Sequence, residues 1–283
     1  MILNEFEQYI NQTDRGSSAK YYLSDLKKFK RWFKHDITSA TILDLIEYRK
    51  YLQNSGGRNN TKAKAATVNR ALTSLSIFFK WALDQKLIQI NPTEGLKSVK
   101  VEELAPRWLS RKEQMKFMRA VQAGQNLRDT AICSLMLHAG LRVSEVCSLE
   151  PDDFVIKKRS GQVIIRSGKG NKQRTVPLNS TLRNILSIYK EQSGTIYFKS
   201  QKGGPLTSRG VQYMVEKYAY LAKLENVTSH ALRHSFCKNL IDMGVSLEKV
   251  AALAGHSSLN ITKRYVTPST NDLQEAVESI AWN

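Results

Sequence analysis

Along residues 17–35, Tyr22, Leu26, Phe29 and Phe33 recur at i, i+4, i+7 and i+11, while Lys27, Lys28, Lys30, Arg31 and Lys34 fill the positions between. One apolar stripe in a basic surround predicts an amphipathic helix. A second helix is predicted over 38–53, ended by the loop "NSGGRNN". A longer one is predicted over 61–85, with Thr61 as N-cap and Val68, Leu72, Leu75, Phe79 and Ala82 as its buried stripe. "INP" at 90–92 stops that pattern, because proline disfavours helix at the residue before it. Residues 1–95 thus read as an all-helical unit. The next stretch, 96–107 ("LKSVKVEELAPR"), has no clear period and carries a proline, so an interdomain linker is expected there.

Beyond the linker, a helix capped by Ser110 is predicted, then one over 127–139 with Gly140 as its stop, then a short one through "RVSEVCSL". The period then changes from helical to alternating. "FVIKK", "QVIIR" and "RTVPL" are short β-rich runs separated by glycine-containing turns, and read as three antiparallel strands. Helical spacing returns over 180–191, 208–223, 229–242, 246–254 and 258–266. A last amphipathic stretch follows Pro268, with Leu273, Ala276, Val277 and Ile280 at i, i+3, i+4 and i+7. The expected fold is mainly α with a small antiparallel β-sheet: a helical unit at 1–95 and an α+β unit at 108–283, closed by a C-terminal helix at about 269–283.

Charge adds the first functional information. The chain carries 43 Lys+Arg against 25 Asp+Glu, a net +18, of which residues 1–100 hold +8. An excess spread over both halves points to a polyanion touched by both. The three cysteines, Cys133, Cys147 and Cys237, lie inside apolar helical patterns and read as reduced core residues. No CxxC, HExxH or EF-hand spacing occurs, so neither a metal site nor another cofactor is expected. No apolar stretch approaches the roughly 20 residues that cross a bilayer. The opening "MILNEFEQYINQ" lacks the basic-then-apolar order of a signal peptide, so a cytoplasmic protein without a membrane partner is expected.

Four segments carry candidate chemistry. "AGLRVSEV" puts Arg142 at a helix start, where backbone amides and the helix dipole favour an anion. "SGKGNKQR" puts Lys169 at a hairpin tip, and "HALRHSF" puts His230 and Arg233 three apart on one helical face. "LAGHSSLNITKRY" supplies His256 at a turn and Tyr265 on the next helix. Singly, each has a plain explanation: Arg142 can pair with Glu145, GKG is an ordinary hairpin tip, and HxxR is as readily a structural pair. Jointly, two arginines, two histidines, a lysine and a tyrosine, with no acidic pair suited to Mg²⁺, suit phosphoryl transfer without a metal. Guanidiniums can grip non-bridging oxygens, an imidazole can move a proton, a lysine can protonate a leaving alkoxide and a tyrosine can attack covalently.

The order and content of "GLRVSEVCSL", "GKGNKQRTVPL", "HALRHSF" and "LAGHSSLNITKRYV" resemble the tyrosine recombinases, or phage integrase family, and "VNRALTSLSIFFKWALDQKLIQINP" resembles the N-terminal DNA-clamping, SAM-like domain of its Xer-type members. The resemblance covers nearly the whole chain; a transposon-encoded cointegrate resolvase is the nearer likeness. It implies a site-specific recombinase that cuts and rejoins DNA through a 3′-phosphotyrosyl intermediate at Tyr265, without metal or ATP. Arg142 and Arg233 would hold the phosphate, Lys169 would protonate the 5′-oxygen, His230 would assist proton transfer at the tyrosine, and His256 would donate to a non-bridging oxygen. Glu145 would orient its neighbours; Lys172 is a rival to Lys169, and His234 and His138 are read as structural. Implied partners are a double-stranded site with inverted binding motifs and three further copies, in a homotetramer linked by exchange of the C-terminal helix. Lys27, Lys28, Arg31, Lys62, Lys64, Arg70, Lys172 and Arg174 are candidate DNA contacts, most of them to phosphate. Two other readings stay open: a type IB topoisomerase-like enzyme, sharing the chemistry but acting as a monomer, and a non-catalytic DNA-binding regulator, suggested by charge alone.

Overall fold

The computed structural model describes residues 2–13, 18–101, 106–166, 173–195, 198–200, 203–256, 258–266 and 277–278. The chain divides into two compact units, Met1–Glu103 and Leu104–Asn283. Lys169, Lys172 and nearly all of the expected C-terminal helix fall outside the described residues.

The first unit holds α1 (Ile2–Asn11), α2 (Ala19–Phe33), α3 (Ile42–Asn54) and α4 (Ala65–Asp84). The predicted stripe of α4 is buried at every position, and Leu26 and Phe29 of α2 are fully enclosed. Helix α1 was not expected from the sequence. Its buried side chains, Phe6 and Ile10, are too few to mark a period; their helix becomes favourable because Phe6 packs on Phe78 and Trp81 of α4, each with ring centroids 5.3 Å away. The predicted start of the third helix also shifts. Gly57 N–H donates to the Thr61 carbonyl at 2.7 Å and Ala63 N–H to the Leu52 carbonyl at 3.0 Å, so residues 61–63 are held non-helical and α4 begins at Ala65. Residues 96–99, expected in the linker, are held to this unit as well: Asn69 bonds both the N–H and the carbonyl of Val99 at 2.8 Å. Asp25 is buried and receives two bonds from Arg70, at 2.8 and 3.1 Å, and one from Ser74 at 3.0 Å.

The second unit holds α5 (Arg111–Ala123), α6 (Leu127–His138), α7 (Val143–Cys147), strands β1 (Phe154–Ile156), β2 (Gly161–Ile165) and β3 (Arg174–Pro177), then α8 (Ser180–Ser193), α9 (Ser208–Leu221), α10 (Ser229–Asp242), α11 (Leu247–Ala254) and α12 (Leu259–Lys263). Helix α6 is buried continuously from Asp129 to Leu137, which makes it the axis of this core. Its buried carboxylate, Asp129, accepts from Arg128 at 2.6 Å and from the Tyr218 hydroxyl at 2.9 Å. The strands form one antiparallel sheet in the order β1-β2-β3, with Phe154 opposite Val163 and Ile165 opposite Arg174. Val163, Ile165 and Val176 bury one face, as the alternation predicts. Cys133 and Cys237 are buried free thiols and Cys147 is half-buried. Among the described residues no helix is long and apolar enough to cross a membrane.

Candidate active site

Arg142 caps the start of α7, and Glu145, three residues on, turns back to it. The carboxylate accepts from the Arg142 backbone N–H and from its Nη1, both at 2.7 Å. Arg142 Nη2 reaches the Gly255 carbonyl at 2.5 Å, joining the α7 start to the end of α11. On α10, the Thr228 side chain accepts from the Ala231 N–H at 3.1 Å and sets the first turn, which carries His230; Arg233 follows on the inner side. Arg233 is 4% exposed and donates to the carbonyls of Gly140 and Ala254. Its Nη1 lies 3.9 Å from Glu145. The two expected phosphate-holding arginines therefore meet over one carboxylate, from elements some 90 residues apart in sequence.

A third arginine completes that junction. Arg174, at the start of β3, donates to both Glu145 oxygens at 2.8 and 2.9 Å and to the Leu253 carbonyl at 3.1 Å. Its side chain is only 11% exposed. Arg174, expected among the DNA contacts, turns its guanidinium inward to Glu145, which is 3% exposed and needs compensation for its buried charge. Directly above it, Gly255 ends α11 in the left-handed region at φ 63°, and a Cβ there would lie 2.8 Å from the Arg174 guanidinium. That turn delivers His256, whose Nδ1 sits 2.9 Å from the Thr262 hydroxyl of α12. Tyr265, just beyond α12, is 1% exposed, with its ring nearly parallel to that of His256 at 6.3 Å between centroids.

The tyrosine hydroxyl itself meets His234. Nδ1 of His234 lies 2.5 Å from Tyr265 Oη, and the His230 ring is 6.3 Å from the His234 ring. His234, expected to be structural, thus touches the hydroxyl of the expected nucleophile. The signal was present in "HALRHSF", where His234 follows His230 by four residues and so shares its helical face. His138 pairs with Asn179 at 3.3 Å.

Electrostatics follow from burial and the crowd of arginines. Burial alone would push the Glu145 carboxyl up, but hydrogen bonds from Arg174 and Arg142 hold it down at about 2. Burial, and then the charge of Arg142, lowers Arg233 to about 10, which leaves it charged at neutral pH. Burial, then Arg233 and Arg142, lowers His256 to about 4. Burial of the ring, then Arg233 and Arg142, holds His230 below the usual imidazole value. The Tyr265 phenol is pushed up, first by burial and then by Cys237 beside it. Three guanidiniums around one carboxylate leave an uncompensated positive charge that an oxyanion would satisfy. Neutral imidazoles and a protonated phenol stand beside this cluster.

Of the other candidate contacts, Lys27, Arg31, Lys62 and Lys64 are exposed on the first unit. Lys28 is half-buried and bonds the Gly56 carbonyl, and Arg70 is exposed but engaged with Asp25.

A helical first unit is followed by an α+β unit that gathers arginines, histidines and a buried tyrosine. The chain belongs to the phage integrase family: that family's description matches residues 107–272, and "Phage integrase, N-terminal SAM-like domain" matches residues 2–89. It is 32% identical to tyrosine recombinase XerC of Myxococcus xanthus, over 98% of this chain and 96% of the relative. It is 28% identical to the TnP I resolvase of Bacillus thuringiensis, over 98% of this chain and 99% of the relative. In fold it resembles the Tn1549 transposon integrase in complex with circular intermediate DNA, at a TM-score of 0.75 and 18% identity over 98% of this chain and 97% of the other. The protein is a site-specific recombinase of the tyrosine type.

Proposed function

We propose that this recombinase cuts and rejoins double-stranded DNA through a covalent 3′-phosphotyrosyl link at Tyr265, freeing a 5′-hydroxyl that a second strand replaces. The observation that carries the reading is that Arg142 and Arg233 meet at the buried Glu145 carboxylate, while Arg142 also bonds the carbonyl of Gly255, next to His256, whose ring faces that of Tyr265. Arg142 and Arg233 hold the non-bridging oxygens and offset charge in the transition state. His256 donates to one of those oxygens, His230 handles protons at the outer end of the site, and Glu145 fixes the arginines. Lys169 protonates the leaving 5′-oxygen. The covalent link conserves the energy of the phosphodiester, so neither ATP nor a metal is required. Exposed lysines of the helical unit, with the +8 carried by residues 1–100, bind DNA phosphates. Four copies act on two paired sites, linked through their C-terminal segments at about 269–283.

A DNA site nicked next to the scissile phosphate tests the reading, because loss of the short 5′ fragment traps the covalent product. Wild-type protein forms the adduct, and Tyr265→Phe forms none while binding the site with unchanged affinity. An adduct in Tyr265→Phe would remove that residue from its role. Exchange of strands between two sites, which a monomeric topoisomerase-like enzyme would not give, completes the test.

A further inference from the structure

We propose that His234 is a catalytic residue, the group that takes the phenolic proton of Tyr265 when the tyrosine attacks and returns it when the strand is resealed. The inference rests on the reading of Tyr265 as nucleophile.

The geometry favours His234 over its neighbours. His234 Nδ1 is 2.5 Å from Tyr265 Oη, close enough for direct proton transfer. His256 lies face to face with the Tyr265 ring at 6.3 Å, and its Nδ1 is engaged with Thr262, so it addresses the ring and not the hydroxyl. His230 stands one ring further out, with centroids 6.3 Å from His234, and opens to solvent at the start of α10. Tyr265 is buried, so bulk water cannot remove its proton. The three side chains thus run outward as phenol, inner imidazole and outer imidazole.

The step balances. The Tyr265 Oη–P bond forms as the P–O5′ bond breaks. The phenolic proton passes to His234 Nδ1, and the 5′-oxygen takes a proton from Lys169. Resealing reverses both transfers.

The charged and titratable groups around His234 are His230 and Arg233 on its own helix, Arg264 and Tyr265 from the segment ending α12, Cys237 beside the phenol, and His256 across it. Burial, then His230, Arg233 and Arg264, hold the free imidazole down at about 4, so it is neutral and ready to accept. A phosphate seated on Arg233 brings a negative charge to this group and strengthens it as a base. The acceptor becomes competent when the substrate arrives, which protects the tyrosine from idle ionisation.

The test uses the full-length protein and two substrates, an ordinary nicked site and one with sulfur at the 5′-bridging position. Sulfur leaves without a proton, so it bypasses the general acid and leaves the demand on the base unchanged. His234→Asn keeps a hydrogen-bonding group near Oη and cannot take a proton. Its adduct rate is expected to fall by about 10²–10⁴-fold on both substrates, with the pH dependence of the acceptor lost and DNA affinity and thermal melting unchanged. Lys169→Ala, in contrast, recovers on the sulfur substrate. A wild-type rate and pH profile in His234→Asn would reduce His234 to a packing role, and rescue of His234→Asn by sulfur would put it on the leaving-group side; either overturns the proposal. His234→Gln serves as a second variant if Asn impairs folding. An adduct surviving in Tyr265→Phe would instead overturn the underlying reading.

Discussion

Gly255→Ala separates two effects that one glycine serves. At φ 63° an alanine costs about 1–2 kcal/mol from backbone strain alone. Its Cβ would also lie 2.8 Å from the Arg174 guanidinium, which must then shift. The bonds at risk are the two from Arg174 to the Glu145 oxygens, at 2.8 and 2.9 Å, and the one to the Leu253 carbonyl at 3.1 Å. Loosening one charge-assisted bond in this buried setting adds about 1.5–3 kcal/mol. Gly244→Ala supplies an internal reference: it has φ 76° in the same unit, and nothing lies within 4 Å of its added Cβ. Urea unfolding, followed through the transition of the second unit, should therefore show a loss of about 2.5–5 kcal/mol for Gly255→Ala and about 1–2 kcal/mol for Gly244→Ala. Adduct formation on the nicked site should fall in the first variant and hold in the second. Equal losses of stability would refute the claim that Gly255 is there for Arg174, and would leave only its turn geometry.

Two further outcomes follow from charge. Replacing Lys27, Lys62 and Lys64 together should flatten log K against log salt by about 2–3, roughly 0.9 for each phosphate no longer neutralised, as read by DNA gel shift; Arg174→Ala should slow adduct formation and leave that slope unchanged, because its guanidinium is bound to Glu145. Acid should weaken the second unit in two stages. His234 and His256, held at about 4 in the fold, favour the neutral form, so their contribution is full above the ordinary imidazole value near 6.5 and fades as pH falls from there to about 4. Glu145, held at about 2, contributes fully above about 4.5 and loses that contribution as pH falls towards 2; Glu145→Gln should remove the lower stage in an unfolding series against pH and keep the upper one.

The helices that could be read from sequence were those whose own spacing buries a stripe. α4 is the clearest case, because Val68, Leu72, Leu75, Phe79 and Ala82 define their face without help. α1 was not readable, since Phe6 and Ile10 acquire a burial partner only when α4 presents Phe78 and Trp81. The start of α4 was misplaced because backbone bonds between residues 57 and 61 and between 52 and 63 outcompete a threonine cap. At the site, residue types, order and spacing pointed to Arg142, Arg233, His256 and Tyr265 through the family likeness. The helical face shared by His230 and His234 was legible, but the partners of Arg174 and His234 were not, because charge and side-chain type do not say what another element brings against a group.

Taken by itself, the sequence determined the helical first half, the antiparallel sheet inside a helical second half, the basic excess and the set of phosphate-handling residue types. Those properties are local: each follows from spacing along a few turns or from composition. Only the tertiary structure decided where the functional groups point. Glu145 binds an arginine 29 residues ahead of it, and Tyr265 meets a histidine 31 residues behind it. Such pairs depend on how separate elements pack, and a buried charge or hydroxyl takes whichever partner the packing brings within reach. That is why Arg174 turned inward to a carboxylate, and why His234 stands at the hydroxyl of the tyrosine.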